Sequence, residues 1–72
     1  MRVRIALETG NDVKEFVNIA SLIDHPIYLT DGNLKVCAKS LLGVVYSKVE
    51  WKEIWCECEI DIYHKIEKFI IT

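Results

Sequence analysis

The sequence predicts one α+β domain over residues 1–72, an open-faced β-sandwich in which three helices cover one face of a four-stranded antiparallel sheet, in the order β-α-β-β-α-β-α. Three observations carry this. Four short segments alternate apolar with other side chains, the period of a half-buried strand. Between or after them lie two segments with apolar residues at helical spacing and one that is apolar almost all round. Seventy-two residues leave room for only one core, so every stripe and every strand face must meet in the same interior.

Arg2 to Glu8 opens the chain as a strand, with Val3, Ile5 and Leu7 on one side and Arg2, Arg4 and Ala6 on the other. Thr9, Gly10 and Asn11 break it. Asp12, followed three residues later by Glu15, fits a capping box at a helix start. Val13, Phe16, Val17 and Ala20 then recur on one helical face, and the helix has to end before Pro26, which lacks an amide and pushes its predecessor out of the α region. Ile27 to Thr30 and Leu34 to Ala38 form a hairpin around Asp31, Gly32 and Asn33, with Gly32 able to take the positive φ of a tight turn. Ser40 is placed to cap a short helix from Leu41 to about Lys48. Glu53 to Glu59 alternates again as the fourth strand, with Ile54, Cys56 and Cys58 on one face. Ile62, Ile66, Phe69 and Ile70 mark a closing helix that starts near Asp61.

Composition narrows the function classes. A hydrophobic content of 51% with two Trp, three Tyr and two Phe compensates for the small size of the core. Nine basic and eleven acidic residues, for a formal net charge of −2, are spread without the basic block that binding a phosphate backbone needs, so nucleic acid is not an expected partner. The longest apolar run, Leu41 to Tyr46 with Gly43 inside it, is far short of the roughly 18 residues of a membrane span. Arg2, Arg4 and Glu8 interrupt the stretch a signal peptide would need, which makes the cytoplasm the expected location. Cys37, Cys56 and Cys58 are odd in number and unsuited to a disulfide framework, so they are expected to be reduced, buried thiols. The two-residue step from Cys56 to Cys58 is unsuited to a closed metal site. No paired carboxylates, phosphate-binding glycine loop or nucleophile triad can be assembled, so neither an enzyme, a cofactor nor a metal is expected.

The second helix draws attention instead. Gly43 costs about 1 kcal/mol relative to Ala inside a helix, which calls for a close backbone approach or a partner beside it. Leu42, Val45 and Tyr46 cannot all share the inward face with Leu41 and Val44, so part of this helix is expected to form an exposed apolar patch.

The run Val36-Cys37-Ala38-Lys39-Ser40-Leu41-Leu42-Gly43-Val44-Val45 resembles the Lys-Ser-aliphatic-aliphatic-Gly signature of HPr, the phosphocarrier of the bacterial sugar phosphotransferase system, in its Gram-positive form. Element order, the hairpin at Asp31-Gly32 and Glu53-Ile54 at the start of the last strand extend the resemblance across the chain. It implies an HPr-like fold, a regulatory phosphorylation site at Ser40, and a partner surface of Lys39, Leu41, Leu42, Gly43, Val45 and Tyr46 that would engage an HPr kinase-like enzyme or a transcriptional regulator. The family carries its phosphoryl group on a histidine that caps the first helix, followed closely by Arg and Pro. The corresponding stretch here reads Glu8-Thr9-Gly10-Asn11-Asp12-Val13-Lys14, so the expectation is an HPr-like module without carrier activity. Two other readings stand beside it: a phosphocarrier acting through the non-equivalent His25, and a structural homodimer formed through Leu42, Val45 and Tyr46. His64 falls on the exposed side of the last helix.

Overall fold

Residues 1–71 are described in the computed structural model of the chain. They run β1 (Arg2–Ile5), α1 (Gly10–Ser21), β2 (Ile27–Thr30), β3 (Lys35–Cys37), α2 (Leu41–Glu50), β4 (Ile54–Cys58) and α3 (Tyr63–Ile66), which continues into a short 3-10 turn, Glu67–Phe69. The strands form one sheet in the order β1-β4-β2-β3 with every pair antiparallel. This is the α+β architecture the alternating periods predict.

Register sorts the side chains. Val3, Cys56, Leu29 and Val36 lie opposite one another across the four strands, and with Ile5, Ile54, Ile27 and Cys58 they build the inner face. Against it pack Val13, Phe16 and Ala20 of α1, Val44 of α2, and Ile66 and Phe69 near the end of the chain, all buried. Phe16 is fully enclosed and meets Phe69 edge to face, with ring centroids 5.4 Å apart. Among the described residues no helix covers the other face of the sheet. There Arg2, Glu57, Tyr28 and Cys37 form one row and Arg4, Trp55, Thr30 and Lys35 the next. Glu57 accepts from Arg2 Nε at 3.1 Å and pairs with Lys35 Nζ at 3.0 Å. These contacts, Lys35's first, hold its carboxyl below the usual carboxylate range.

Several boundaries differ from those expected. β1 stops at Ile5 instead of running to Glu8, because its partner β4 begins at Ile54, opposite Ile5; on the outer edge Ala6 N–H donates to the Phe69 carbonyl at 2.8 Å and Ile71 N–H to that of Arg4 at 2.9 Å. α1 begins at Gly10, not after Asp12. Thr9 is its N-cap and Asp12 supplies the returning carboxylate, so the capping box is Thr9–Asp12 and not Asp12–Glu15. β3 is shorter than Leu34 to Ala38, and Leu34 is exposed. The closing helix is a single α-turn plus a 3-10 turn, because Ile70 leaves the helix to pair with Ile5. Gly32 has the positive φ predicted for it, +105°, and Asp31 Oδ1 closes the hairpin by accepting from the amides of Asn33 and Leu34 at 2.8 and 2.9 Å.

The cysteines are the remaining correction. Cys56 and Cys58 are buried, but Cys37 is exposed on the bare side of the sheet, since the alternation that turns Val36 inward turns Cys37 out. Burial, aided by the neighbouring Cys58 and Glu57, pushes the Cys56 thiol up to about 12. A thiol reagent needs both access and thiolate. Labelling of the folded protein is therefore expected to show one fast thiol, lost in Cys37→Ser, with Cys56 and Cys58 reacting only as the chain opens. Two fast thiols in the folded protein would contradict this placement.

Candidate functional site

The junction of β3 and α2 is assembled from three consecutive residues. Ala38 is buried and donates its amide to the Ile27 carbonyl at 2.9 Å, which holds the strand end against β2. Lys39 folds back, and its Nζ donates to the Ile23 carbonyl at 2.6 Å, tying the segment after α1 to the start of α2. Ser40 takes an extended backbone, φ −94° and ψ 117°, and its Oγ accepts from the Gly43 amide at 3.2 Å. Its carbonyl accepts the first helical bond, from Val44 N–H at 3.0 Å. The hydroxyl is exposed and no acidic residue lies in the first turn of α2. The remaining free amides and the positive end of the helix dipole are therefore open to an anion brought in on Ser40.

Gly43 explains how α2 sits so close to the sheet. A Cβ there would stand 3.2 Å from Val36 Cβ and 3.4 Å from the Cys37 carbonyl oxygen. Of the two explanations open from sequence, close approach is the one the fold uses. On the next turn Val44 and Ser47 are fully buried, and Ser47 satisfies its hydroxyl by donating to the Val44 carbonyl at 2.8 Å. That choice of inward face turns Leu41, Leu42, Val45, Tyr46 and Val49 outward, at 49, 83, 41, 45 and 70% exposure. Leu41 was expected inward with Val44. Instead it joins the exposed stripe, which also extends one turn further, to Val49, than the sequence reading placed it. The i+4 step from Val45 to Val49 was the available signal, but it lay beyond the expected helix end at Lys48. Tyr46 leans edge to face on Trp51, which closes the helix with its amide on the Ser47 carbonyl.

The mouth of α1 is chemically opposite. Asp12 Oδ2 accepts from the amides of Glu8 and Thr9 at 3.0 and 3.3 Å, and Thr9 Oγ1 accepts from Asp12 N–H at 3.0 Å. A carboxylate of the protein itself thus stands beside this helix mouth, where it opposes a second anion. His25 is exposed beyond the far end of this helix, whose twelve residues span about 18 Å at 1.5 Å rise per residue. His64 faces solvent with Nδ1 4.0 Å from Glu67 Oε1. Among the described residues no group of His, Cys, Asp or Glu converges as metal ligands, and Cys37 lies on the opposite side of the sheet from Cys56 and Cys58. No described helix is long and apolar enough to cross a membrane.

No family model matches the chain and no curated protein matches it. Among solved structures it is similar to the crystal structure of HPr-C-His from Thermoanaerobacter tengcongensis, with a TM-score of 0.67 and 26% sequence identity over 94% of this chain and 81% of that one. Strand order, helix order and this likeness agree that the chain has an HPr-like fold.

Proposed function

We propose that this chain is an HPr-like regulatory, protein-binding module that does not carry phosphohistidine, with the outer face of α2 as its docking surface and Ser40 as a phosphorylation site that controls it. The observation that supports this most directly is the contrast between the two helix mouths. Ser40 presents an exposed hydroxyl, engaged only as the cap, to a first turn without acids and beside a bare apolar stripe, whereas Asp12 places a carboxylate at the mouth of α1. A phosphate on Ser40 would carry about −1.5 to −2 charges and meet unpaired amides and a favourable dipole, so the helix should tolerate it. Enzyme activity is not part of this reading, and the cytoplasm is where such a module would meet its kinase or regulator.

The test is direct. On incubation with ATP and an HPr kinase, the γ-phosphoryl group is expected to pass to Ser40 Oγ, with ADP leaving and the hydroxyl proton lost, and intact mass to rise by one phosphate. Ser40→Ala should abolish the gain while costing about 1 kcal/mol of stability through the lost cap. With enzyme I and phosphoenolpyruvate, no acid-labile phosphate is expected. An unmodified Ser40 beside a modified control HPr would remove the regulatory claim, and acid-labile label lost in His25→Ala would move the assignment to a carrier.

A further inference from the structure

We propose that Lys39 is a positioning residue for Ser40, an internal tether that fixes where the hydroxyl stands and does not touch the partner, a role that depends on the reading of Ser40 given above. The resemblance in sequence counts Lys39 among the residues of the partner surface. Lysine stems lie along apolar surface and ordinarily leave the ammonium in water, where a partner can meet it. Here the side chain is half-buried and Nζ donates inward, to the Ile23 carbonyl at 2.6 Å.

The far end of the tether is a fixed point. Ile23 is buried, and the amides of Leu22 and Ile23 donate to the Ile19 and Ala20 carbonyls of α1, both at 3.1 Å. α1 has no basic residue in its last turn, so Lys39 brings from sixteen positions along the chain the cation that this helix end lacks. At the near end, Ala38 and Lys39 are the central residues of a turn closed by Ser40 N–H on the Cys37 carbonyl at 3.1 Å. Buried Ala38, with its amide on Ile27, anchors that turn to the sheet, and the Lys39 bond anchors it to the end of α1. Two anchors fix the tilt of the turn, where one would let it rock about the strand. Ser40 is the next residue, its Cα about 3.8 Å from that of Lys39, so any rocking passes to the hydroxyl and to the Gly43 amide that it caps. An ammonium that touched a kinase would contribute to binding, whereas one that places the hydroxyl contributes to the transfer step.

Two measurements on the full chain test this. In the folded parent, acetylation of amines read by peptide mass is expected to reach Lys39 about tenfold more slowly than the exposed Lys14 and Lys52. Lys39→Met keeps the apolar stem and removes the donor, and it is compared with the parent at a temperature where both are folded. Hydrogen exchange at the Gly43 amide is expected to rise about three- to fivefold in this variant. Transfer of the γ-phosphoryl group from ATP to Ser40 Oγ by an HPr kinase, with ADP leaving and the hydroxyl proton lost, is expected to fall about tenfold in kcat, with KM changed by less than about twofold. Lys39 acetylated as fast as Lys14 overturns the tether, and this needs no variant to fold. A raised KM with kcat unchanged, or Gly43 exchange that does not move, overturns the positioning role and returns Lys39 to the partner surface. A parent that takes no phosphate at all removes the reading of Ser40, while acetylation and Gly43 exchange still decide the tether, so the two failures are told apart.

Discussion

Phe16→Ala is expected to bring the domain to the edge of unfolding, with a loss of about 3 to 5 kcal/mol. The ring is fully enclosed at the centre of α1's inner face and pairs edge to face with Phe69, so truncation removes transfer energy, leaves a cavity and strands an aromatic partner at once. In a large protein the loss would be absorbed. Here, at about 0.05 to 0.15 kcal/mol per residue, the whole chain has roughly 4 to 11 kcal/mol to lose. Denaturant unfolding followed by tryptophan fluorescence should show the midpoint falling by roughly a quarter at least, with an unchanged slope if the native state survives. A loss under about 1.5 kcal/mol would mean that the helix layer closes over the gap and that the core is not centred on this ring. The consequence reaches the docking face, because the Ile23 carbonyl that anchors Lys39 follows directly from α1. Loosening α1 should therefore also loosen the start of α2.

How much of this was legible beforehand depends on whether the deciding contact is local. Ser40 as a cap, the Asp31-Gly32 turn and the four alternating strands each depend on residues within three or four positions, and each is found at its expected place, with the first and third strands shorter than expected. The start of α1 was misplaced because the Asp12–Glu15 box and the Thr9–Asp12 box found in the structure leave Val13, Phe16 and Ala20 on the same face, so periodicity could not expose the error. The closing helix fails for a distant reason: Ile70 suits a helix stripe but is claimed by Ile5, sixty-five residues earlier in the chain. Within α2, hydrophobicity alone would bury Leu41 before Ser47. The fold does the reverse because Gly43 lets that side of the helix approach β3, and Ser47 can bond its own helix. The exposed stripe is thus the remainder after an interior choice that only the packed structure reveals.

That dependence makes Gly43→Val the second large effect. A Cβ at this position meets Val36 Cβ at 3.2 Å and the Cys37 carbonyl at 3.4 Å, neighbours that are strand backbone or fixed to it and cannot swing aside as a long side chain would. For Gly43→Ala the crowding opposes a gain of about 1 kcal/mol in helix propensity, and near-neutral stability is expected. Branching at Cβ removes that balance. The added methyl groups must lift α2 from β3, at a cost of about 1 to 3 kcal/mol for overpacking. Lifting also pulls the Gly43 amide from Ser40 Oγ, adding up to about 1 kcal/mol for the cap. The two share one contact region and will not simply add, so a net loss of about 2 to 3 kcal/mol is expected by thermal unfolding. Function should fall further than stability accounts for. Valine at 43 tilts the stripe and displaces Ser40 together, so at temperatures where Gly43→Val is still folded, its modification by an HPr kinase should drop, while Gly43→Ala retains it. Equal loss in the two variants would show that the close approach at Gly43 serves packing alone and does not set the geometry of the face.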